Sequence, residues 1–245
     1  MVRKKKQTQG ELIYGMHPLI EVLKAKRRKV ISIYTTKPVP KQWREIEAAM
    51  PKYPIPIQYV SRDVLTKMAG TTEHQGVVSW VQTFPFRKKP FEPEKQPFVI
   101  MLDSIQDPRN LGAILRSAYC AGASGVVMTT RNSAPLNAVA IKSSAGLAEH
   151  LEIQQVSSAQ EGLQMLSKLN YKMYLAMLDG KDATKESYPL PTCIVIGNEA
   201  VGIAKPLRKF GTPITLPQKT ADVSYNASVA AGILLFMIGS KHNLI

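Results

Sequence analysis

Apolar residues recur along this chain in two regimes that meet near residue 90. Before that point the pattern predicts a helix around Pro18–Leu23, a short strand at Val30–Tyr34 and a helix over Lys41–Met50. Alternation at Ile55–Val60 predicts a strand, Asp63–Ala69 a short helix, and Gly76–Val81 a closing strand. After it, compact apolar runs of strand length alternate with helical patterns. Strands are expected at Phe98–Leu102, Gly125–Met128, Leu151–Val156, Lys172–Met177, Cys193–Ile196 and Pro213–Leu216. Between them fall helices at Asn110–Ala121, closed by Gly122 as a glycine cap, at Asn137–Ser144 and at Ser158–Leu169, and an apolar helix over Ser228–Met237 ends the series. Strand–helix alternation of this kind argues for an α/β fold with a parallel sheet.

Residues 84–97 hold four prolines among charged side chains. Proline lacks an N–H and fixes φ, so this stretch reads as a semi-rigid linker. The expected organisation is a basic disordered arm at residues 1–10, a small α/β domain over 11–83, the linker, and a larger parallel-sheet α/β domain over 98–245. A chain of 245 residues supports a sizeable core, and 44% apolar with 20% charged residues is ordinary for a globular protein.

Charge changes the picture because it is uneven. Residues 1–97 carry 19 Lys/Arg against 8 Asp/Glu, a net of +11, out of +14 for the whole chain. Clusters at Arg3–Lys6, Lys24–Lys29 and Arg87–Lys89 suit a phosphate backbone, which binds such patches by charge pairing and counterion release. Nucleic-acid binding is therefore assigned to the N-terminal part.

Other classes are disfavoured. Cys120 and Cys193 lie in separate apolar surroundings, so a disulfide framework is not expected and a reducing, cytoplasmic setting is the default. No apolar run approaches the roughly 20 residues of a membrane span, and the basic start is followed by no secretory apolar stretch. His17, His74, His150 and His242 are scattered, so no metal centre is expected. The first strand of the second half runs into Asp103–Pro108 without a glycine loop, and neither a phosphate-binding lysine loop nor a Gly-x-Ser-x-Gly turn occurs.

Three segments each place polar groups or glycine at the edge of a buried run. In Asp107-Pro108-Arg109-Asn110-Leu111-Gly112, Asn110 opens a helix whose next polar position on the same face is Arg116; it could equally be a simple N-cap. In Ile196-Gly197-Asn198-Glu199, a buried strand ends at a glycine where backbone can approach a ligand. Glu199 could alternatively be an ordinary helix-start carboxylate. Leu216-Pro217 stops a strand, and Ser224-Tyr225-Asn226 precedes the closing helix, where Ser224 and Asn226 could serve only as caps.

In this order and spacing the segments resemble the motifs of the SpoU/TrmH (SPOUT) family, RNA 2′-O-ribose methyltransferases that use S-adenosylmethionine. Ser143-Ser144-Ala145-Gly146 is similar to a further family segment. Ile13–Pro18 with His74–Val77 resembles the L30e-like substrate-binding domain of its ribosomal-RNA subgroup. The resemblance implies catalytic roles for Arg116, Asn110, Glu199, Ser224 and Asn226, and a cofactor site at Ile196, Gly197, Leu216 and Tyr225. It also implies a deep trefoil knot, a homodimer, and a guanosine of 23S-type ribosomal RNA as target. A transfer-RNA or resistance-type methyltransferase of the same family, and a non-catalytic RNA-binding assembly factor, are the competing readings. Tyr225 stands where leucine is more usual, and Ala200-Val201-Gly202 departs from the family's glycine-first order.

Overall fold

The structure is a computed structural model that describes residues 10–220 and 224–245; the arm expected at the N-terminus, with Arg3–Lys6, falls almost wholly outside the described residues. The chain divides into two compact units. One runs to Pro85 and takes in Ala145–Glu149, and the other comprises Phe86–Ser144 and His150–Ile245.

The first unit contains β1 (Gly10–Tyr14), α1 (Met16–Ala25), β2 (Val30–Thr35), α2 (Trp43–Ala49), β3 (Ile57–Tyr59), α3 (Arg62–Ala69) and β4 (Val77–Gln82). Its sheet has the order β1-β4-β2-β3. β1 pairs antiparallel along β4, from Gly10 opposite Gln82 to Tyr14 opposite Val78. The apolar pattern had not announced β1, because it runs straight into Gly15 and α1 without a turn signal. β3 is shorter than the alternation at Ile55–Val60 predicts. Pro54 and Pro56 have no N–H to give a ladder, and Pro56 contributes only its carbonyl, which accepts from Ile33 N at 2.9 Å.

The two N-terminal motifs meet in this unit. Gly15 N donates to Val77 O (3.0 Å) and Met16 N to Gln75 Oε1 (3.3 Å). Gly15 at φ 102 and Gly76 at φ 80 occupy backbone conformations that favour glycine. The His74 ring is buried, with Nδ1 accepting from Gly76 N at 3.0 Å and Nε2 3.1 Å from Thr66 Oγ1. These residues clasp the start of α1 to β4. Elsewhere in the unit Arg28 is buried and forks onto buried Glu149, Nε to Oε2 at 3.0 Å and Nη2 to Oε1 at 2.5 Å. Its Nη1 donates to Glu11 Oε2 (2.6 Å) and to the Gln82 carbonyl (3.0 Å). Burial pushes the Glu149 carboxyl above its ordinary range, against the pull of Arg28.

The second unit contains β5 (Phe98–Leu102), α4 (Pro108–Cys120), β6 (Gly125–Thr129), α5 (Ala138–Ser143), β7 (Ile153–Val156), α6 (Ala159–Lys168), β8 (Lys172–Asp182), β9 (Thr192–Ile196), β10 (Thr212–Thr215) and α7 (Ala227–Lys241). The sheet is parallel throughout, as expected, in the order β10-β8-β9-β5-β6-β7. β5, β6 and β9 are buried along their whole length, which is why each reads as a continuous apolar run. The chain lays β5, β6 and β7 outward in sequence and then returns to the other side of β5. There β9 is inserted between β5 and β8, and β10 is added outside β8.

Three differences from the sequence pattern have local causes. α4 begins at Pro108 and is capped by Asp107, whose carboxylate accepts from Arg109 N at 2.8 Å, so Asn110 lies in the first turn and is not the cap. β8 continues to Asp182 because β10 pairs with it twice, with a register shift between Pro213 and Ile214. At that shift Gly180 sits against the Ile214 backbone, where no Cβ would fit. The proline-rich stretch is also packed more firmly than its composition suggests. Phe91 is buried in the core above Gly125, and Arg87 N donates to Ile153 O at 2.7 Å.

A helix apolar on nearly every side, as the last one is, has to be buried. Ala231, Leu234, Leu235 and Ile238 are, and Gly239 lets α7 close onto the carbonyl of Ala121, the residue that ends α4. Val229 is exposed, and Phe236 is 61% exposed.

Candidate active site

The ends of β5 and β9 lie side by side, with Asp103 N donating to Ile196 O at 2.8 Å. Ser104 then turns through φ 57 and gives its N–H to Thr129 Oγ1 at 2.8 Å. Across from it, Asn198 Nδ2 donates to Ser104 O (2.8 Å), while Asn198 Oδ1 accepts from Ala200 N (2.9 Å) and Val201 N (3.1 Å). Asparagine here folds its own loop and ties it to the neighbouring one.

That tie delivers Glu199 to the start of α4. Its carboxylate accepts from Gln106 N (3.1 Å), Asp107 N (3.2 Å) and Asn110 Nδ2 (3.2 Å). These donors and the positive end of the helix dipole favour the anion. Desolvation resists the charge, yet the hydrogen bonds outweigh it and hold the Glu199 carboxyl below the ordinary carboxylate range. A depressed carboxylate stabilises the fold above its unfolded pKa and ceases to do so as pH falls through the folded value. Acid titration should therefore loosen the Gln106–Asn110 turn only below the ordinary carboxylate range. Amide exchange at Gln106 and Asp107 checks this, and early loss of protection, near pH 6, would contradict it. Burial pushes the neighbouring Asp103 carboxyl the other way, upward, opposed by the Ser104 hydroxyl that donates to it at 2.9 Å.

Beside this junction lies a cavity of about 430 Å³, within the range usual for small-molecule sites. β9 and its loop supply Ile196, Gly197, Asn198 and Glu199, and β10 and the segment after it supply Ile214, Thr215 and Leu216. Ser224, Tyr225, Ala227, Ala230 and Leu234 come from the entry and first turns of α7, and Met177 to Asp179 from β8. The wall is therefore mainly aliphatic side chain and backbone. At its rim Asp179 pairs with Arg208. A Cβ on Gly197 would stand 2.5 Å from Gly202 C and 2.6 Å from Ile203 N, both main chain. Gly197→Ala should thus displace the 202–203 crossing and cost about 1–3 kcal/mol, as overpacking does. An unchanged urea midpoint would contradict that.

Of the residues singled out from the sequence, Ile196, Gly197, Glu199, Leu216, Ser224 and Tyr225 line this one cavity. Asn110 is held to it through Glu199. Asn226 caps α7, its Oδ1 accepting from Ser228 N (2.8 Å) and Ser228 Oγ (2.6 Å). Arg116 is exposed on α4, outside the cavity wall, and has no hydrogen bond or ion pair among the described residues. Its neighbour Ser117 faces Gly232 of α7, where a Cβ would lie 3.4 Å from Ser117 Oγ. The Gln106 and Asp107 amides carry no side-chain signal and so were not visible in the sequence. Asp179, Lys205 and Gln218 in the wall sit in no motif and were equally hidden. Among the described residues no His/Cys/Asp/Glu group could hold a metal ion, and no helix is long and apolar enough to cross a membrane.

Comparison with known proteins agrees with this geometry. The profile of the SpoU rRNA Methylase family matches residues 97–236, and that for RNA 2′-O ribose methyltransferase substrate binding matches residues 12–86. YacO of Bacillus subtilis, named as a TrmH family tRNA/rRNA methyltransferase, is 32% identical over 96% of this chain and 97% of its own. The 23S rRNA (guanosine-2′-O-)-methyltransferase RlmB of Acinetobacter baylyi is 32% identical over 92% of this chain and 95% of its own. The crystal structure of the SpoU methyltransferase AviRb from Streptomyces viridochromogenes, in complex with AdoMet, superposes with a TM-score of 0.81 at 20% identity, covering 96% of this chain and 91% of that one. With a family profile spanning the cavity, the Glu199 junction and α4, this chain belongs to the SpoU rRNA methylase family.

Proposed function

We propose that this chain transfers the methyl group of S-adenosylmethionine to a ribose 2′-oxygen of RNA, its target a guanosine of 23S-type ribosomal RNA. The observation that carries the reading is Glu199, anchored by Gln106 N, Asp107 N and Asn110 at the mouth of the 430 Å³ cavity. S-adenosylmethionine fits that cavity by the chemistry of its wall. Ile196, Ile214, Leu216 and Leu234 offer apolar surface, Gly197 offers bare main chain, and half-exposed Tyr225 offers a ring face for the adenine. When bound, the cofactor supplies an electrophilic methyl group, and the protein's task is orientation.

Arg116, free of protein partners among the described residues, binds the target's phosphate and steadies negative charge developing on the 2′-oxygen. Asn110 and Glu199 brace the first turn of α4 and so position Arg116, while Ser224 and Asn226 meet the ribose. Charge and the match at residues 12–86 support an L30e-like RNA-binding role for the first unit. The full-length match to RlmB favours ribosomal over transfer RNA. Membership of the family, whose profile spans β5 to α7, is what supports a deep trefoil knot. Exposed Val229 and Phe236 on α7 support a homodimer. The free thiols Cys120 and Cys193 suit a cytoplasmic setting.

Incubation with tritiated S-adenosylmethionine and unmethylated 23S or transfer RNA tests the reading. Label in an alkali-resistant dinucleotide of 23S RNA is expected. Label only on transfer RNA overturns the substrate, and no cofactor binding at all overturns the chemistry.

A further inference from the structure

The face of the first unit that neither the cavity nor the ion-pair network uses is the outer edge of its sheet. β3 is the edge strand opposite β1, and Ile57, Gln58 and Tyr59 are all exposed. A lysine lies over a tyrosine at each end of it. Lys37 Nζ is 4.3 Å from the ring centroid of Tyr59, which is 49% exposed, and Lys29 Nζ is 5.7 Å from that of Tyr53, which is 38% exposed. Tyr53 is fixed at the start of β2 because its hydroxyl accepts from Val30 N at 3.3 Å. Tyr59 is fixed at the other end, opposite Thr35. At about 3.3 Å per strand residue, Val30 and Thr35 are roughly 16 Å apart, a span of a few nucleotides. From Lys29 to Arg62 the chain holds six basic and two acidic residues.

We infer that this edge binds a single-stranded stretch of the RNA substrate, with bases stacking on Tyr53 and Tyr59 and phosphates held by Lys29 and Lys37; the inference rests on the reading of the chain as an RNA methyltransferase. Stacking on exposed aromatic rings, with cations beside them, is the sequence-tolerant way proteins grip unpaired bases. A lysine over a surface ring is worth little to stability in water, so an arriving base can displace it from the ring while its ammonium turns to a phosphate. Strand addition by another protein is a poorer use of the same edge. Only three residues are extended, and Pro54 and Pro56 have no N–H to offer an incoming strand. Duplex RNA fits less well, because paired and stacked bases cannot reach the rings.

Fluorescence anisotropy with a short mixed-sequence single-stranded RNA, and methyl transfer to an unmethylated 23S transcript, test the inference on the full chain. Tyr59→Ala should weaken binding about tenfold or more and raise the KM for RNA with kcat intact, while Tyr59→Phe should retain binding. A Lys29→Gln/Lys37→Gln variant should flatten the salt dependence by about 0.7 per lost phosphate contact. RNA carrying 5-iodouridine should photocrosslink to Tyr53 or Tyr59. Both tyrosine rings are surface groups, so urea midpoints near wild type separate lost binding from lost folding. Wild-type methylation with unaffected variants and crosslinks elsewhere overturns this inference alone. A wild-type chain that neither binds nor labels any RNA overturns the methyltransferase reading and the inference with it.

Discussion

Arg116→Ala is expected to lower kcat for RNA methylation by about 10²–10³-fold or more, with S-adenosylmethionine affinity unchanged. The expectation comes from where the side chain lies and what it lacks. Arg116 is on α4, whose first turn is gripped by Glu199 through Gln106 N, Asp107 N and Asn110. The same helix packs on α7, whose Ala227, Ala230 and Leu234 form part of the cavity wall. Yet Arg116 itself is exposed, outside the wall and unpaired among the described residues. A cation held beside a site and unpaired among the described residues is available to a substrate, and RNA brings both phosphate and a hydroxyl that gains negative charge during transfer.

A guanidinium keeps its proton across the pH range that proteins tolerate, so a role as proton acceptor would be costly; charge stabilisation needs no such step. Arg116→Lys separates two forms of that role. A point charge alone would restore much of the rate, whereas a bidentate grip on phosphate or oxyanion would not survive loss of the planar fork. Isothermal titration with the cofactor and single-turnover transfer to RNA are the measurements. Wild-type turnover by Arg116→Ala would remove Arg116 from the site.

How far the sequence disclosed this arrangement depended on what each residue was packed against. β5, β6 and β9 were legible because strands buried on both faces leave no polar positions in the run. β1 was not, since its partner β4 is distant in sequence and nothing local marks its start. Phe91 was hidden by its neighbours: prolines and charges disguised a residue whose ring fills the space above Gly125. In the site, Glu199 stood out only as part of the Ile196-Gly197-Asn198-Glu199 motif, where it could equally be a helix-start carboxylate; the structure gives it two main-chain amides and Asn110 as donors. Asn226 was ambiguous between cap and ligand; its Oδ1 caps α7, which leaves its amide nitrogen for any further contact. Asn110 was read as a possible cap, a position that Asp107 takes. Arg116 could only be read by resemblance, because the group that gives it meaning belongs to the substrate.

Arg28→Met is expected to destabilise the first unit by about 3–5 kcal/mol, the usual cost of leaving a buried charge without its partner. Arg28 serves three acceptors at once: Glu149 through Nε and Nη2, and Glu11 and the Gln82 carbonyl through Nη1. Methionine fills similar space but satisfies none of them, and Glu149 is fully buried. The double variant Arg28→Met/Glu149→Met should recover part of the loss, because removing both charges removes the desolvation cost, while Glu11 at the partly exposed end can turn to water. pH provides an independent check of sign. Burial already raises the Glu149 carboxyl, and without Arg28 only the weaker pull of Arg27 opposes it, so the folded single variant binds a proton that the unfolded chain releases. Its stability then falls as pH rises above the unfolded carboxylate value, and its deficit against wild type shrinks between pH 7 and about pH 5. Urea denaturation at the two pH values measures both effects. A deficit of the same size at each would mean that Glu149 is not the group left stranded.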